Sequence, residues 1–228
     1  MPILPGPPPV EITLRRSSAA RRFSLRVSRL DGRVTLSMPL RAREDEALRF
    51  ASLQEGWIRK TLAAMPSLRM VGIGDAVPVE GRMLVISPGA GRSVRVEGDA
   101  LLVPGDPAQA GARVQAWLRV LARERLAAAC DRYSGLLGRP YTRLTLRDTR
   151  SRWGSCAHDG ALMFSWRLIM APPSVLDYVA AHEVAHLAQM NHSPAFWAVV
   201  EELYPGWKTC RRWLHGQGQT LHGYRFSE

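Results

Sequence analysis

Four side chains within eleven positions could act together on a bond: His182, Glu183, His186 and His192, in the stretch AAHEVAHLAQMNHSPAFW (180–197). His182 and His186 stand at i and i+4, so on a helix their imidazoles share one face about 6 Å apart and can grip one ion. Glu183 lies roughly 100° around the same helix, offset enough to miss coordination and to work on a water at the ion as a general base. A catalytic zinc needs a third protein ligand and keeps a fourth position open. His192 is six residues past His186, which an unbroken helix would turn about 240° away. The helix must therefore end before it: Asn191 tolerates a left-handed closing residue, and Ser193-Pro194 supplies an N-cap and first position for a following helix. Three imidazoles suit one Zn²⁺ per chain, although Mn, Ni or Co accepts the same ligands. The bland alternative is a buried helix that happens to contain histidines, but buried polar groups of this kind need a partner.

Other residues could serve the same chemistry. SRWGSC (151–156) precedes a strand, and Arg152, Ser155 and the backbone near Gly154 could line a cleft for an extended peptide. Its structural alternative packs Trp153 in the core, gives Gly154 an unusual dihedral and makes Ser155 a cap. Tyr178, one turn before His182, could steady an oxyanion or simply pack in the core, and Arg167 or Arg152 could hold the same oxyanion. Asp177 could support an imidazole. Phe196 and Trp197 read as core behind His192. Cys156 has no histidine partner assigned and is a poor nucleophile candidate. His158, His215 and His222 fit no ligand geometry and read as surface residues.

These groups must be positioned by strands, then helices. Period-two runs Phe23-Leu25-Val27 and Val34-Leu36-Met38 flank a turn at Asp31-Gly32. A helical pattern follows from Asp45. Two more strand pairs turn at Glu80-Gly81 and Gly98-Asp99, and Pro104-Gly105-Asp106-Pro107 marks a boundary. A helix over about 108–136 stops at Gly138-Pro140, and a hairpin forms around His158-Asp159-Gly160. Helices are expected over 173–189, 194–203 and 207–214.

The chain has 228 residues, 46% hydrophobic and 22% charged, as globular proteins do. It has no apolar run of about 18 residues for a transmembrane helix, and its N-terminus puts charge after the apolar part, unlike a secretory signal. The three cysteines, odd in number and widely spaced, suit a reducing compartment, so cytoplasm is the default. Lys and Arg, nearly all Arg, number 31 against 20 Asp and Glu, for a net charge of +11. That excess attracts acidic partners such as nucleic acid or nucleotides, or else is a solvated basic surface. Counted by halves at residue 105 the charge is evenly spread.

TRSRWGSC, SWRLIMAPPSVLDYVAAHEVAHLAQMNHSPAFW and YPGWKTCRRWL closely resemble the YgjP-like metallopeptidases, relatives of the SprT-like and WLM zincin proteases, over roughly Leu14 to Leu214. The resemblance implies a gluzincin-like catalytic core with His182, His186 and His192 as zinc ligands and Glu183 as base. Family members often carry Asn where this chain has Ser165. A metzincin assignment shares the spacing of the second and third histidines, but Gln189 stands where those proteins have a turn glycine.

The expected fold is α+β: a flexible lead-in over 1–10, a β-rich N-terminal region over 11–106, and a zincin-like metallohydrolase domain with an active-site HExxH helix over 107–228. The expected function is zinc-dependent hydrolysis of a peptide or protein substrate. Two competitors remain at this stage. The same site could act on an acidic non-peptide such as a nucleotide phosphoanhydride, although GIGDAVPVEG lacks the lysine of a phosphate loop. Alternatively the chain is a basic nucleic-acid-binding module. No membrane partner is expected, and oligomeric state is not legible.

Overall fold

A computed structural model of the chain describes residues 2–28, 32–63 and 69–226. The architecture is α+β and divides into two compact units, Met1–Ser67 and Leu68–Glu228.

In the first unit the alternating runs become β1 (Ile3–Leu4), β2 (Val10–Ser17), β3 (Ser24–Val27) and β4 (Val34–Pro39), in sheet order β1-β2-β4-β3. β3 and β4 pair antiparallel, as the turn pattern predicts; Asp31 of that turn lies outside the described residues, and Gly32 takes φ 71°. β2 runs parallel to β4. Helices α1 (Glu44–Leu53) and α2 (Glu55–Ala63) replace the single helix expected from Asp45, meeting at Gln54, whose N–H reaches the Ala51 and Ser52 carbonyls. Ile12, Val34, Leu36 and Met38 from the sheet bury against Ala47, Ala51 and Ile58 from the helices. The proline-rich lead-in is pinned, not loose: β1 pairs with β2, and Arg59 donates to the Pro5 and Pro8 carbonyls at 2.9 and 2.7 Å.

The second unit opens with β5 (Arg69–Met70), then β6 (Ala76–Val79), β7 (Arg82–Gly89), β8 (Arg95–Glu97) and β9 (Ala100–Pro104). β6 to β9 form a sheet in order β6-β7-β9-β8, with both expected turns in place: Glu80 and Gly81 have φ 48° and 78°, and Gly98 has φ 58°. Helix α3 (Ala110–Leu137) ends on Gly138 in the left-handed region, as the Gly-Pro signal predicts. A three-stranded sheet follows, β10 (Arg143–Arg147), β11 (Gly154–Cys156) and β12 (Ala161–Ser165), in order β10-β12-β11. The buried 3-10 turn Trp166–Met170 leads into α4 (Pro173–Ala185), α5 (Pro194–Leu203) and α6 (Trp207–Gln217), and β13 (Tyr224–Arg225) pairs parallel with β5. The division at 67/68 differs from the 106/107 boundary expected from the Pro-Gly-Asp-Pro signal. Val77, Ile86, Leu101 and Val103 of the β6–β9 sheet bury in the same core as Val114, Leu118 and Leu126 of α3, so that signal marks only a turn inside the unit.

Candidate metal centre

The segment that carries the histidines is apolar because it is core: Val175, Leu176, Val179, Ala180, Ala181 and Val184 of α4 are all buried. His182 and His186 fall on one face, and the helix then stops, earlier and by another route than the expected closure at Asn191. Leu187 and Ala188 donate to the carbonyls three residues back, a tightened last turn, and Asn191 has no positive φ. The Asn191 side-chain oxygen instead accepts from the Ser193 N–H at 3.3 Å, and the Ser193 hydroxyl caps α5 by accepting from the Phe196 N–H at 3.4 Å. That cap and Pro194 at the start of α5 match the sequence reading.

The bend returns His192 to the other two. One ring nitrogen from each of His182, His186 and His192 lies within 4.8 Å of the others, and the Nε2 atoms of His182 and His192 are 3.1 Å apart. A carbonyl only accepts, so the contact of 3.0 Å between His186 Nδ1 and the Gln189 oxygen places the proton on Nδ1 and leaves the Nε2 lone pair to the cluster. Burial, followed by the neighbouring imidazoles, lowers His182 to about 3, and burial lowers His186 as well. His182 is therefore neutral at ordinary pH, and the shift of His186 favours its neutral form as well. Three convergent imidazole nitrogens, with the His182 Nδ1 buried and without a partner, form a donor set that fits one divalent ion of borderline softness. Phe196, fully buried, backs all three rings, with centroids 4.4 Å from His186, 4.7 Å from His192 and 4.9 Å from His182.

Glu183 is 6% exposed and projects from α4 toward β11. Burial raises its carboxyl to about 8, against the opposing pull of the Arg152 charge and a hydrogen bond from the Cys156 N–H. Gly154 is what admits it: a Cβ there would stand 2.5 Å from Glu183 Oε1 and 2.6 Å from its Cγ. Gly154 has no positive φ, so close approach, and not an unusual dihedral, requires the glycine. β11 is an edge strand, its Ser155 opposite Met163 of β12. The flanking bonds from Ser165 N–H to the Trp153 carbonyl and from Ala157 N–H to the Ala161 carbonyl set the alternation. Gly154 and Cys156 accordingly turn their backbone groups to the open edge beside Glu183.

The remaining sequence candidates separate. Arg152 is exposed and close enough for its charge to act on Glu183. Ser155 projects from the face of β11 opposite to Gly154, by strand alternation. Tyr178 is 4% exposed, edge-on to His182 with centroids 5.8 Å apart, and burial pushes its phenol to about 12, so it keeps its proton. Arg167 is a correction. Its Nε and one Nη grip Asp148 at 2.6 and 3.1 Å, the other Nη donates to the Leu221 and Tyr224 carbonyls, and its guanidinium stacks on Trp166, so it is spent on structure and not on an oxyanion. Asp177 likewise binds Arg132 at 2.9 Å and supports no imidazole. His222, read as surface, is stacked under Trp153 at 5.1 Å, and burial, then the Arg167 charge, lowers it to about 4. The sequence reading missed the Gly154 cradle, the Cys156 N–H and the Gln189 carbonyl. Of these only Gln189, one turn past His186, had a positional signal.

A family model described as YgjP-like, metallopeptidase domain, matches residues 21–217. No curated protein matches the chain. Among solved structures, the crystal structure of the metallopeptidase zymogen of Pyrococcus abyssi abylysin is similar at 20% identity, covering 41% of this chain and 95% of its own, with a TM-score of 0.37.

Proposed function

Since the chain belongs to the YgjP-like metallopeptidase family, we propose that His182, His186 and His192 hold one zinc ion and that Glu183 is the general base for hydrolysis of a peptide bond. The observation that carries this reading is the convergence of the three imidazoles at the end of α4 with a buried carboxylate one residue along the same helix. When bound, zinc supplies a Lewis acid and makes a water molecule easier to deprotonate. Glu183, packed against Gly154, would take that proton at a carboxylate oxygen and pass it to the leaving amine, the charges of Arg152 and of a bound cation opposing the burial that otherwise favours its protonated form. The Cys156 N–H fixes the orientation of the carboxyl. An extended peptide lies along the open edge of β11, pairing with Gly154 beside Glu183. Arg152, at the rim, and the protonated Tyr178 phenol, beside His182, are the two donors for developing negative charge.

Purified protein is expected to carry about one zinc per chain, as a single open-sided zinc site does, and His192→Ala to lose it. Glu183→Gln is expected to keep the metal and lose peptide turnover; full turnover in that variant refutes the assignment of the base. Hydrolysis of nucleotides but not peptides, abolished by Glu183→Gln, would move the same machinery to a phosphoanhydride. No helix among the described residues is long and apolar enough to cross a membrane. The cysteines Cys130, Cys156 and Cys210 are all free, which supports a reducing compartment such as the cytoplasm.

A further inference from the structure

Positive charge is not evenly spread once the chain is divided where the structure divides it. Residues 1–67 carry twelve Lys and Arg against six Asp and Glu, while residues 68–228 carry nineteen against fourteen. In the first unit Arg16, Arg43, Arg49 and Arg59 are paired with acids of α1 and α2. Arg15, Arg21, Arg22, Arg26 and Arg41 are exposed and make no ion pair among the described residues.

Strand register gathers these free guanidiniums. The side chains of Ile12, Leu14, Leu25, Val34, Leu36 and Met38 turn to the helices, so their neighbours turn the other way. On that outer face Arg15 stands opposite Ser37, which stands opposite Ser24; one step along, Thr13 stands opposite Thr35, and Thr35 opposite Arg26. Arg21 and Arg22, between β2 and β3, and Arg41, just after β4, lie at the end of the sheet where β2 and β4 finish and β3 begins. The face thus combines rows of hydroxyl donors with fork-shaped cations. Such a set matches phosphate oxygens, which accept two N–H bonds from one guanidinium and single bonds from Ser and Thr. At its β1 edge this face also carries Ile3, 57% exposed, opposite the acidic Glu11; the rows Arg15-Ser37-Ser24 and Thr13-Thr35-Arg26 present no aromatic ring for a base to stack on and no large apolar side chain to enter a bilayer.

We infer that the outer face of the β1-β2-β4-β3 sheet docks the sugar-phosphate backbone of a nucleic acid duplex, without reading its sequence. The occupant is fixed by charge complementarity and by the hydroxyl rows, and the surface shares no residue with the histidine cluster.

The test uses the full chain and a labelled mixed-sequence duplex of about 20 base pairs, long enough for several phosphate contacts, as DNA and as RNA, with anisotropy followed across salt concentrations. Arg15→Ser/Arg26→Ser is compared with Arg92→Ser/Arg147→Ser, which removes the same charge from exposed positions of the second unit. Binding of wild type to either duplex is expected. The first pair should weaken it about tenfold or more at low salt and reduce the slope of log affinity against log salt by about 2, while the second pair leaves it within about twofold. His192→Ala should bind the duplex as wild type does, which separates this surface from the metal centre. Equal weakening by both pairs, absence of binding to either duplex at low salt, or binding to phosphatidylserine vesicles but not to a duplex would each overturn the proposal. Unchanged thermal midpoints of the variants exclude misfolding as the cause.

Discussion

At the scale of single residues, the contact between Gly154 and Glu183 leaves no room for a side chain at that point of the strand. Gly154→Ala places a methyl group 2.5 Å from a carboxylate oxygen, and either the strand or Glu183 must move. Misplacing a reacting group by about 1 Å costs on the order of a hundredfold in rate. On the proposed assignment, Gly154→Ala is therefore expected to match the zinc content of wild type, by elemental analysis, and to lose about that factor in kcat. The histidines and Glu183 were legible in sequence because a helix makes four-residue spacing a spatial fact. The glycine was not, because its partner lies 29 positions further along the chain and only tertiary packing brings them together. Arg167 misled for the opposite reason: an arginine next to a candidate site reads as a substrate ligand until Asp148 and two carbonyls are seen to occupy it.

At the scale of elements, the cap of α5 and the clamp on the C-terminal segment carry distinct expectations. Ser193→Ala removes the acceptor for the Phe196 N–H and should cost about 1 kcal/mol in a denaturant titration, with weaker zinc retention because His192 is adjacent. Arg167→Met breaks a charge pair whose arginine is 7% exposed and should cost about 3 kcal/mol. The same cluster sets an acid sensitivity. Burial acts to raise the Asp148 carboxyl, but the Arg167 hydrogen bond and charge outweigh it and hold the group below the usual 3.8. Its contribution is whole above that value and disappears as pH falls through the lower folded one. His222, held at about 4 against an ordinary 6.5, stays neutral while the unfolded chain takes up a proton, so stability falls from pH 6.5 toward 4. Urea midpoints across that window should fall for wild type and fall less for His222→Gln. Hairpin turns at Glu80-Gly81, Gly98-Asp99 and His158-Asp159-Gly160 were readable from local chemistry. The parallel pairings of β2 with β4, β7 with β9 and β10 with β12 were not, since each spans a third strand and is decided by burial rather than by any turn.

At the scale of the whole molecule, two separate cores mean two separable stabilities. Leu36 is fully buried in the first unit, and Leu36→Ala should remove about 2–5 kcal/mol there. Hydrogen exchange should rise within residues 1–67, while amides of α4 and the zinc content stay as in wild type. Counting charge by halves at residue 105 concealed the basic character of this unit because the count cut across the second one. The C-terminal segment adds a consequence in time. Trp153, next to Gly154, stacks on His222 and lies 3.0 Å from where a Cβ on Gly218 would sit, and Arg167 is held by Leu221 and Tyr224. A ribosome delivers these anchors after His192, later by about 1 to 6 s at ordinary elongation rates. Until Tyr224 has emerged, a nascent chain already holds all three histidines and Glu183 yet lacks the tie that steadies the strand beside them. The order of synthesis thereby puts the histidine cluster into the chain before the contacts that fix the strand beside it.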